Sequence, residues 1–432
     1  MVLQRIKNMK NSDFIKSLTV LLTGTLIAQF IGYALAPVIS RQFSPTEMGE
    51  FGMFQRWVVL LATIATARYE FSLPLPKRDE HSFQLYRLAL FSTMVTLGIT
   101  LVGFLIYGLY LDKAVGFALW ALVLVFSTAA LVFFNLGTNW AIRHKEFKRI
   151  SFSKMTNSLS LNISRVLSGF FHMGKWGLFL SFLLSLLIGA AHFLKDFFHW
   201  NKKPTTSLSK KKMMSLARTY KDFPLINLPH ALSDNLREVL VALLIIEVFS
   251  EQIFGSFDHT FRMLRLPVMI IGTSISQILF NRISSYRLEK KMLMPIVVKV
   301  FLSLSVLSLI PFSIVYFYGQ PLFVFVFGEQ WQESGRLSEI MAPWLMLNFV
   351  SSPLTIIPLV LEQQKKFFFI GISASIFQVL GFLVLPMFLN EYKDGMYMVF
   401  QIITWSQVAI GLITVMFIFS IIQKEDRKNA AY

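Results

Sequence analysis

DFPLINLPHALSDNLREVLVALLIIEVFS, residues Asp222–Ser250, is long and apolar enough to cross a bilayer, yet Asp234, Arg237 and Glu238 stand in its middle. Crossing a hydrocarbon core of about 30 Å takes roughly 20 apolar residues. A charge near the centre of such a helix costs on the order of 2.5–3.5 kcal/mol, so three charges facing lipid would cost roughly 7–10 kcal/mol, near the whole stability of many folded proteins. Arg237 lies about fourteen residues, ~21 Å at 1.5 Å rise, along a helix entering from the cytoplasm, too deep for its stem to carry the charge to the interface. Spacings of three and four residues place all three side chains on one broad face. That face must meet protein or water, and the helix is expected to line a polar interior.

Similar runs fill the chain. Of 432 residues 55% are apolar and 44 are phenylalanine; with a mean hydropathy of +0.59, these values lie outside the range of soluble domains. Twelve runs are expected to span, about 18–39, 51–73, 86–110, 114–140, 152–172, 176–198, 223–249, 254–281, 293–318, 337–361, 367–389 and 396–422. The first is too long for the core of a signal peptide and no small-residue cleavage pattern follows it, so it reads as a retained helix. The absence of cysteine excludes a disulfide framework, a thiolate nucleophile and a cysteine metal site.

The formal charge of +17 has a placement that excludes nucleic acid as the partner. Of the 41 Lys and Arg residues, the two tails and alternate loops hold 29: Arg5–Lys16, Lys77–Arg87, Arg143–Lys154, Lys195–Lys221, Arg282–Lys291, Lys365 with Lys366, and Lys424–Lys428. The intervening loops hold five, Arg41, Lys113, Lys175, Arg336 and Lys393. This positive-inside asymmetry puts both termini in the cytoplasm.

The organisation expected is a cytoplasmic tail (1–17), a six-helix bundle (18–198), a basic cytoplasmic linker (199–222), a second six-helix bundle (223–422) and a second cytoplasmic tail (423–432). The linker reads as a solvated segment that sets orientation and touches anionic headgroups. An internal repeat supports two halves. At an offset of 206 residues, GEFGMFQR (Gly49–Arg56) aligns with GSFDHTFR (Gly255–Arg262), both reading G-x-F-x-x-x-x-R, and Ser44 coincides with Ser250. The fold class is therefore an all-α polytopic membrane protein, about twelve transmembrane helices in two pseudo-symmetric six-helix bundles around a central cavity.

Seven basic residues fall within spans: Arg56, Arg68, Arg165, Arg237, Arg262, Arg265 and Lys299. Arg68, with Glu70 nearby, and Lys299 are close enough to helix ends to snorkel. Arg165 belongs to a helix with Thr156, Ser160, Ser164 and Ser168 at four-residue intervals, a stripe that either lines a cavity or glues helices together. Arg262 and Arg265 share a face, Asp258 precedes Arg262 by one turn, and Arg56 is the repeat partner of Arg262. Arg56, Arg165, Arg237, Arg262 and Arg265 against Asp234 and Glu238 leave a surplus of three positive charges. A structural ion-pair network should balance; the surplus favours an anion, and guanidinium suits the paired oxygens of a phosphate. Arg41, Arg68 and Glu70 are secondary candidates.

The segments LTGTLIAQFIGYALAPVISRQFSPTEMGEFGMFQ and IATARYEFSLPLPKRDE resemble the N-terminal signature of Wzx-type bacterial polysaccharide flippases, within the multidrug/oligosaccharidyl-lipid/polysaccharide exporter superfamily. YKDFPLINLP, FRMLRLPVMIIGTSISQILFNRIS and FGEQWQESGRLSEIMAPWLMLN continue the resemblance over nearly the whole chain. That family usually shows one arginine before the Leu-Pro of its eighth helix; here Arg262 and Arg265 both precede it. The resemblance implies two bundles enclosing a V-shaped cavity open alternately to each side. The implied substrate is an undecaprenyl-diphosphate-linked oligosaccharide repeat unit in the bacterial cytoplasmic membrane. A polysaccharide polymerase and a chain-length regulator are the implied protein partners. On this reading the five arginines neutralise the diphosphate, while Asp234 and Glu238 orient them or carry a coupling proton.

Two other readings compete. A multidrug/cation antiporter of the same superfamily should present an acidic or aromatic cavity. A membrane-embedded polymerase or glycosyltransferase should carry a large outer loop or a catalytic constellation. The longest outer connection, about Gly319–Arg336, is too short for a catalytic domain, and no paired carboxylates on a soluble loop, zinc spacing, phosphate-cradling glycine loop or credible triad is found. His172, His192 and His199 read as interfacial. No cofactor, metal or enzymatic activity is expected.

Overall fold

The computed structural model describes residues 23, 24, 26–110, 114–202, 210–389 and 391–430. The expected tail 1–17, the start of the first run, Lys113 and linker residues 203–209 lie outside them. Among the described residues there is no strand. Helix α1 covers 26–42. It is followed by α2 (Pro45–Ala65), α3 (Asp79–Tyr110), α4 (Ala114–Arg143), α5 (Phe147–Phe170), α6 (Gly174–Asn201), α7 (Lys210–Thr219), α8 (Leu228–Val248), α9 (Glu251–Pro267), α10 (Thr273–Leu288), α11 (Met294–Phe327), α12 (Gln332–Ser351), the short α13 (Ile357–Val360), α14 (Gln364–Leu389) and α15 (Gly395–Ala430).

Eight of the described helical stretches are long and apolar enough to cross a bilayer: α3, Gly116–Arg143 of α4, α6, Glu251–Leu288 through α9 and α10, α11, Glu329–Val360 through α12 and α13, α14 and α15. Four of the twelve expected runs are not among the eight: 18–39, only part of which is described, and 51–73, 152–172 and 223–249, which fall on the three helices α2, α5 and α8. These three helices carry Arg56, Arg165 and Arg237.

Local sequence explains where the helices bend. Pro321 lacks the N–H its turn needs and its ring crowds the carbonyl four residues back; α11 leaves helical geometry at Tyr318, with φ −133°. A π-helical turn at Val268–Gly272 follows Pro267 and joins α9 to α10. A second, at Phe223–Asn227 with Pro224 near its start, leads into α8. The expected second run is interrupted after Ala65, because Ala67 and Arg68 take left-handed backbone (φ 47° and 63°) before a 3₁₀ turn at Tyr69–Ser72. The linker contains α7, and the expected tail 423–432 continues α15 as far as Ala430.

The chain forms two units, one from residues up to Phe43 with Glu50–Val239, the other from Ser44–Gly49 with Leu240 onwards. In the first unit α6 packs on α4 and α5, and α3 on α4. Phe54 stacks on Phe179 with ring centroids 4.4 Å apart, and a second apolar cluster gathers Leu73, Phe83, Tyr86, Leu136 and Trp140 beside the basic loops. Small residues let helices approach: Ser153 Oγ donates to the Gly189 carbonyl of α6 at 2.7 Å, and Ser158 Oγ donates to the Ala28 carbonyl of α1.

In the second unit α12 packs against α9, α11 and α15, and α14 against α15. Leu279, Ile283, Leu293, Val297, Leu354, Ile357, Ile418 and Ile422 form one core cluster. The buried Asp426 carboxylate accepts the Leu293 and Met294 amides at 2.7 and 2.9 Å, capping α11 with the C-terminal turn of α15. Removing an ionised acceptor strands two donors at a helix start where negative charge is favoured. Asp426→Ala is therefore expected to cost about 2 kcal/mol, read as a lowered midpoint of thermal unfolding, while the surface change Lys424→Ala leaves it in place.

The repeat has a structural counterpart in the second unit. Ser44 and Glu47 form a capping box at the start of α2: the Ser44 amide donates to Glu47 Oε2 at 2.8 Å and the Glu47 amide to Ser44 Oγ at 3.3 Å. At the equivalent start of α9, the Ile253 amide donates to Ser250 Oγ at 3.1 Å. One turn further on, the two aligned glycines bring the backbones together. A Cβ on Gly49 would lie 2.4 Å from the Glu251 carbonyl oxygen, and one on Gly255 would lie 1.8 Å from that of Pro45. Glu251 and Pro45 are themselves related by the 206-residue offset, so the contact is reciprocal, as a local two-fold axis requires.

Candidate functional site

The stretch Asp222–Ser250 forms a π turn followed by α8. Its first half belongs to the first unit, held there by two polar contacts. Asn235 Nδ2 donates to Thr63 Oγ1 of α2 at 2.8 Å, and Arg68 Nε donates to Asn227 Oδ1 at 2.9 Å. With Asn235 on the packed side, Asp234 and Glu238 are exposed and Arg237 is half-buried. Arg237 Nε is buried and has no hydrogen-bond partner among the described residues. Asp234 stands at a spacing that permits an ion pair with Arg237, yet among the described residues no ion pair joins Arg237 to Asp234 or Glu238. Replacing Asn235 with Ala removes one neutral hydrogen bond. The expected loss is about 1 kcal/mol, measured as a small fall in unfolding midpoint.

The other candidates in this unit are spread over α1, α2 and α5. Arg56 is half-buried on α2 and donates to the Gly52 carbonyl at 3.1 Å. Arg165 of α5 is half-buried, its guanidinium 4.6 Å from the centre of the Phe51 ring of α2, an attraction of the cation to the ring quadrupole. Arg41 is exposed at the end of α1. Arg68 lies 3.7 Å from Glu70 Oε1 and over the Phe71 ring at 4.2 Å, while Glu70 itself is buried.

The α5 polar stripe divides. Thr156 Oγ1 sits 3.0 Å from His192 Nε2, and Ser168 lies where a Cβ on Gly177 of α6 would collide with it; both therefore serve the α5–α6 packing. The Ser160 hydroxyl donates to the Asn157 carbonyl of its own helix.

Arg262 and Arg265 belong to the second unit. Arg262 Nε is 2.7 Å from Asp258 Oδ2, and this carboxylate is almost fully buried. Counting Asp258 corrects the formal surplus over the candidate residues from three to two. Arg265 is exposed, its guanidinium 5.2 Å from the Phe261 ring centre. Among the described residues no group of three or more His, Asp or Glu has metal-binding geometry.

Two residues on these helices were not singled out from the sequence. Lys154, counted there with a cytoplasmic loop, is half-buried inside α5. It stands eleven residues before Arg165, three helical turns along the same face. That interval was the available signal. Asn235 was overlooked because a single amide in an apolar run is chemically unremarkable until its partner Thr63 is seen.

The family described as polysaccharide biosynthesis protein matches residues 77–336, more than half of the chain. The chain belongs to that family. No curated protein matches its sequence.

Solved structures agree on the fold of this family member. A multidrug resistance MATE family transporter of the MOP superfamily, in an inward-facing conformation, superposes with a TM-score of 0.67 at 14% identity, over 93% of this chain and 99% of that one. The lipid II flippase MurJ in an inward closed conformation gives 0.64 at 10% identity, over 96% and 91%. A MOP superfamily transporter from Pyrococcus furiosus, described by a reversed polarity of its binding pocket, gives 0.54 at 14% identity, over 95% and 96%. The family expected from the resemblance is thus the one found, and the chain is an all-helical, multi-pass membrane protein with the MOP fold.

Proposed function

We propose that the chain is a flippase moving an undecaprenyl-diphosphate-linked oligosaccharide repeat unit from the inner to the outer leaflet of the bacterial cytoplasmic membrane. It would work by alternating access and supply O-antigen, capsule or exopolysaccharide synthesis. The observation that carries this reading is Arg237: a cation deep in a polar helix, its Nε buried and unpartnered, with no acid claiming it among the described residues. A buried guanidinium N–H without an acceptor is costly in the empty protein and favourable once an anion arrives. The family assignment supplies the class of product, and the flippase among the fold relatives has a lipid-linked substrate by name.

On this proposal all twelve helical runs are crossings, six before the α7 segment and six after it, with both termini cytoplasmic. The polarity of α2, α5 and α8 is that of helices facing a watered interior. Arg237, Arg56 and Arg165, with Arg262 and Arg265, take the diphosphate in turn while the prenyl tail stays in lipid. Lys154 adds a cation on the α5 face of Arg165. Asp234 and Glu238, exposed and separate from Arg237, suit proton or water contacts better than the orienting of arginines. A polymerase and a chain-length regulator would act on the delivered units.

The multidrug transporters among the fold relatives favour cation antiport as the second reading. The arginine surplus opposes it. Deleting the gene tests both readings. The flippase reading expects lipid-linked repeat units to accumulate on the inner leaflet, with surface polysaccharide restored by the intact chain. Unchanged surface polysaccharide, together with drug efflux that survives Arg237→Ala and Arg262→Ala, would instead establish the antiporter.

A further inference from the structure

The segment between α6 and α8 holds a site that the transport reading does not use. From Phe197 to Lys221 the sequence has seven Lys or Arg residues and no Asp or Glu. Within it α7 is an ordered ten-residue helix, Lys210–Thr219, and its two sides differ. Leu216, Ala217 and the following Tyr220 pack on the apolar cluster of the first unit, beside Trp200, Phe83 and Tyr86. Tyr69 Oη donates to the Ala217 carbonyl at 3.2 Å, which fixes the rotation of α7.

The opposite side is exposed. Lys211, Met214, Ser215, Arg218 and Thr219 line a shallow depression of about 490 Å³. Lys211 and Arg218 are seven residues apart, two turns and ~10 Å along one face, with the Ser215 hydroxyl between them. Neither has an acid partner among the described residues. Met214, 59% exposed, adds an apolar side chain between cationic ones.

The depth of the helix is set by what it packs on. The supporting cluster adjoins the basic loops Lys77–Arg87 and Arg143–Lys154, and Arg87 Nη2 donates to Asn201 Oδ1 at the end of α6 at 2.8 Å. Exposed Phe198 and half-buried Trp200 lie in the last turn of the candidate span Gly174–Asn201, a position where aromatic side chains are enriched at headgroup level. A fixed helix with one side bound to the protein and a basic, methionine-bearing side open at that level has the chemistry of an interfacial helix. Its electrostatic complement is the negative cytoplasmic leaflet.

We infer that α7 is an anionic-phospholipid site: Lys211 and Arg218 hold a headgroup phosphate, Ser215 donates a hydrogen bond to it, and Met214 enters the acyl boundary. The inference does not depend on what the protein transports.

The test uses the full-length protein in nanodiscs, either phosphatidylcholine alone or phosphatidylcholine with phosphatidylglycerol, and reads amide hydrogen exchange across α7 and, for reference, α4. Phosphatidylglycerol is expected to slow exchange in α7 at least ~fivefold, about the effect of one basic side chain near an anionic surface, and to leave α4 unchanged. The double variant Lys211→Gln with Arg218→Gln should lose that response while keeping the exchange rate seen in phosphatidylcholine. Equal exchange in the two lipids would overturn the inference, as would a response retained by the double variant. Slowing produced by inorganic phosphate in phosphatidylcholine discs would reassign the site to a free anion. Slowing produced only by a cell extract would reassign it to a protein.

Discussion

Gly255→Val is expected to prevent the second unit from reaching its native packing. The reason is the 1.8 Å that would separate a Cβ at this position from the Pro45 carbonyl oxygen, with the Pro45 carbonyl carbon at 2.7 Å and the Gly49 amide nitrogen at 3.0 Å. These are backbone atoms held in two helices, so no side chain can rotate out of the way. The helices would have to part by more than an ångström. Overpacking a rigid contact costs 1–3 kcal/mol or more, and here at least about 3 kcal/mol is expected because the two serine-capped helix starts move with it. Gly49→Val should behave alike through the Glu251 carbonyl. The yield of monodisperse protein and its unfolding midpoint measure the effect. Gly371→Val is the control, since a Cβ there meets nothing within 4 Å. Normal yield and midpoint for Gly255→Val would show that the crossing is not required for the fold.

The second large effect concerns Arg237. If its guanidinium takes a phosphate through two charge-assisted hydrogen bonds, each contributes roughly 1.5–3 kcal/mol. Losing both lowers transport by about a hundredfold or more. Arg237→Ala should therefore abolish surface polysaccharide in a complemented deletion strain while the protein still accumulates in the membrane. Arg237→Lys keeps the charge but not the planar fork, and partial activity is expected, between wild type and Arg237→Ala. Arg262 contrasts with it. Its Asp258 partner is almost fully buried, so Arg262→Ala removes a neutralising cation from a buried carboxylate and should lower stability as well as transport. Measuring the amount of folded protein beside the polysaccharide separates the two effects. Equal and complete rescue by all three variants would remove the arginines from the mechanism.

The difference between the readable and unreadable parts of this chain is largely one of range. Apolar runs are local, and each expected run meets a helix in the described residues. The helix breaks depend on single residues in unusual backbone, such as Ala67 and Arg68, whose side chains do not announce a left-handed turn. The short α7 was not legible as a helix because its ten residues mix four apolar with four basic side chains and form no apolar run; its packed side shows only beside Leu73 and Trp140. The Gly49 and Gly255 spacing marked a repeat, while the contact between these glycines needed three dimensions. Asp258 and Arg262 pair at four-residue spacing, as local sequence suggests, and that pairing reduces the charge surplus. Asp234 and Arg237 stand at a comparable spacing and do not pair: Asp234 is exposed and Arg237 half-buried, a difference of side-chain direction that spacing alone does not encode.

The most direct test of the central claim, that Arg237 is kept free for a diphosphate, is the binding of undecaprenyl diphosphate to purified full-length protein, with Arg237→Ala and Arg237→Lys alongside. The wild-type chain should bind it, Arg237→Ala should raise Kd by about a hundredfold or more with an unchanged unfolding midpoint, and Arg237→Lys should fall between. The same Kd for the wild type and Arg237→Ala would contradict the account.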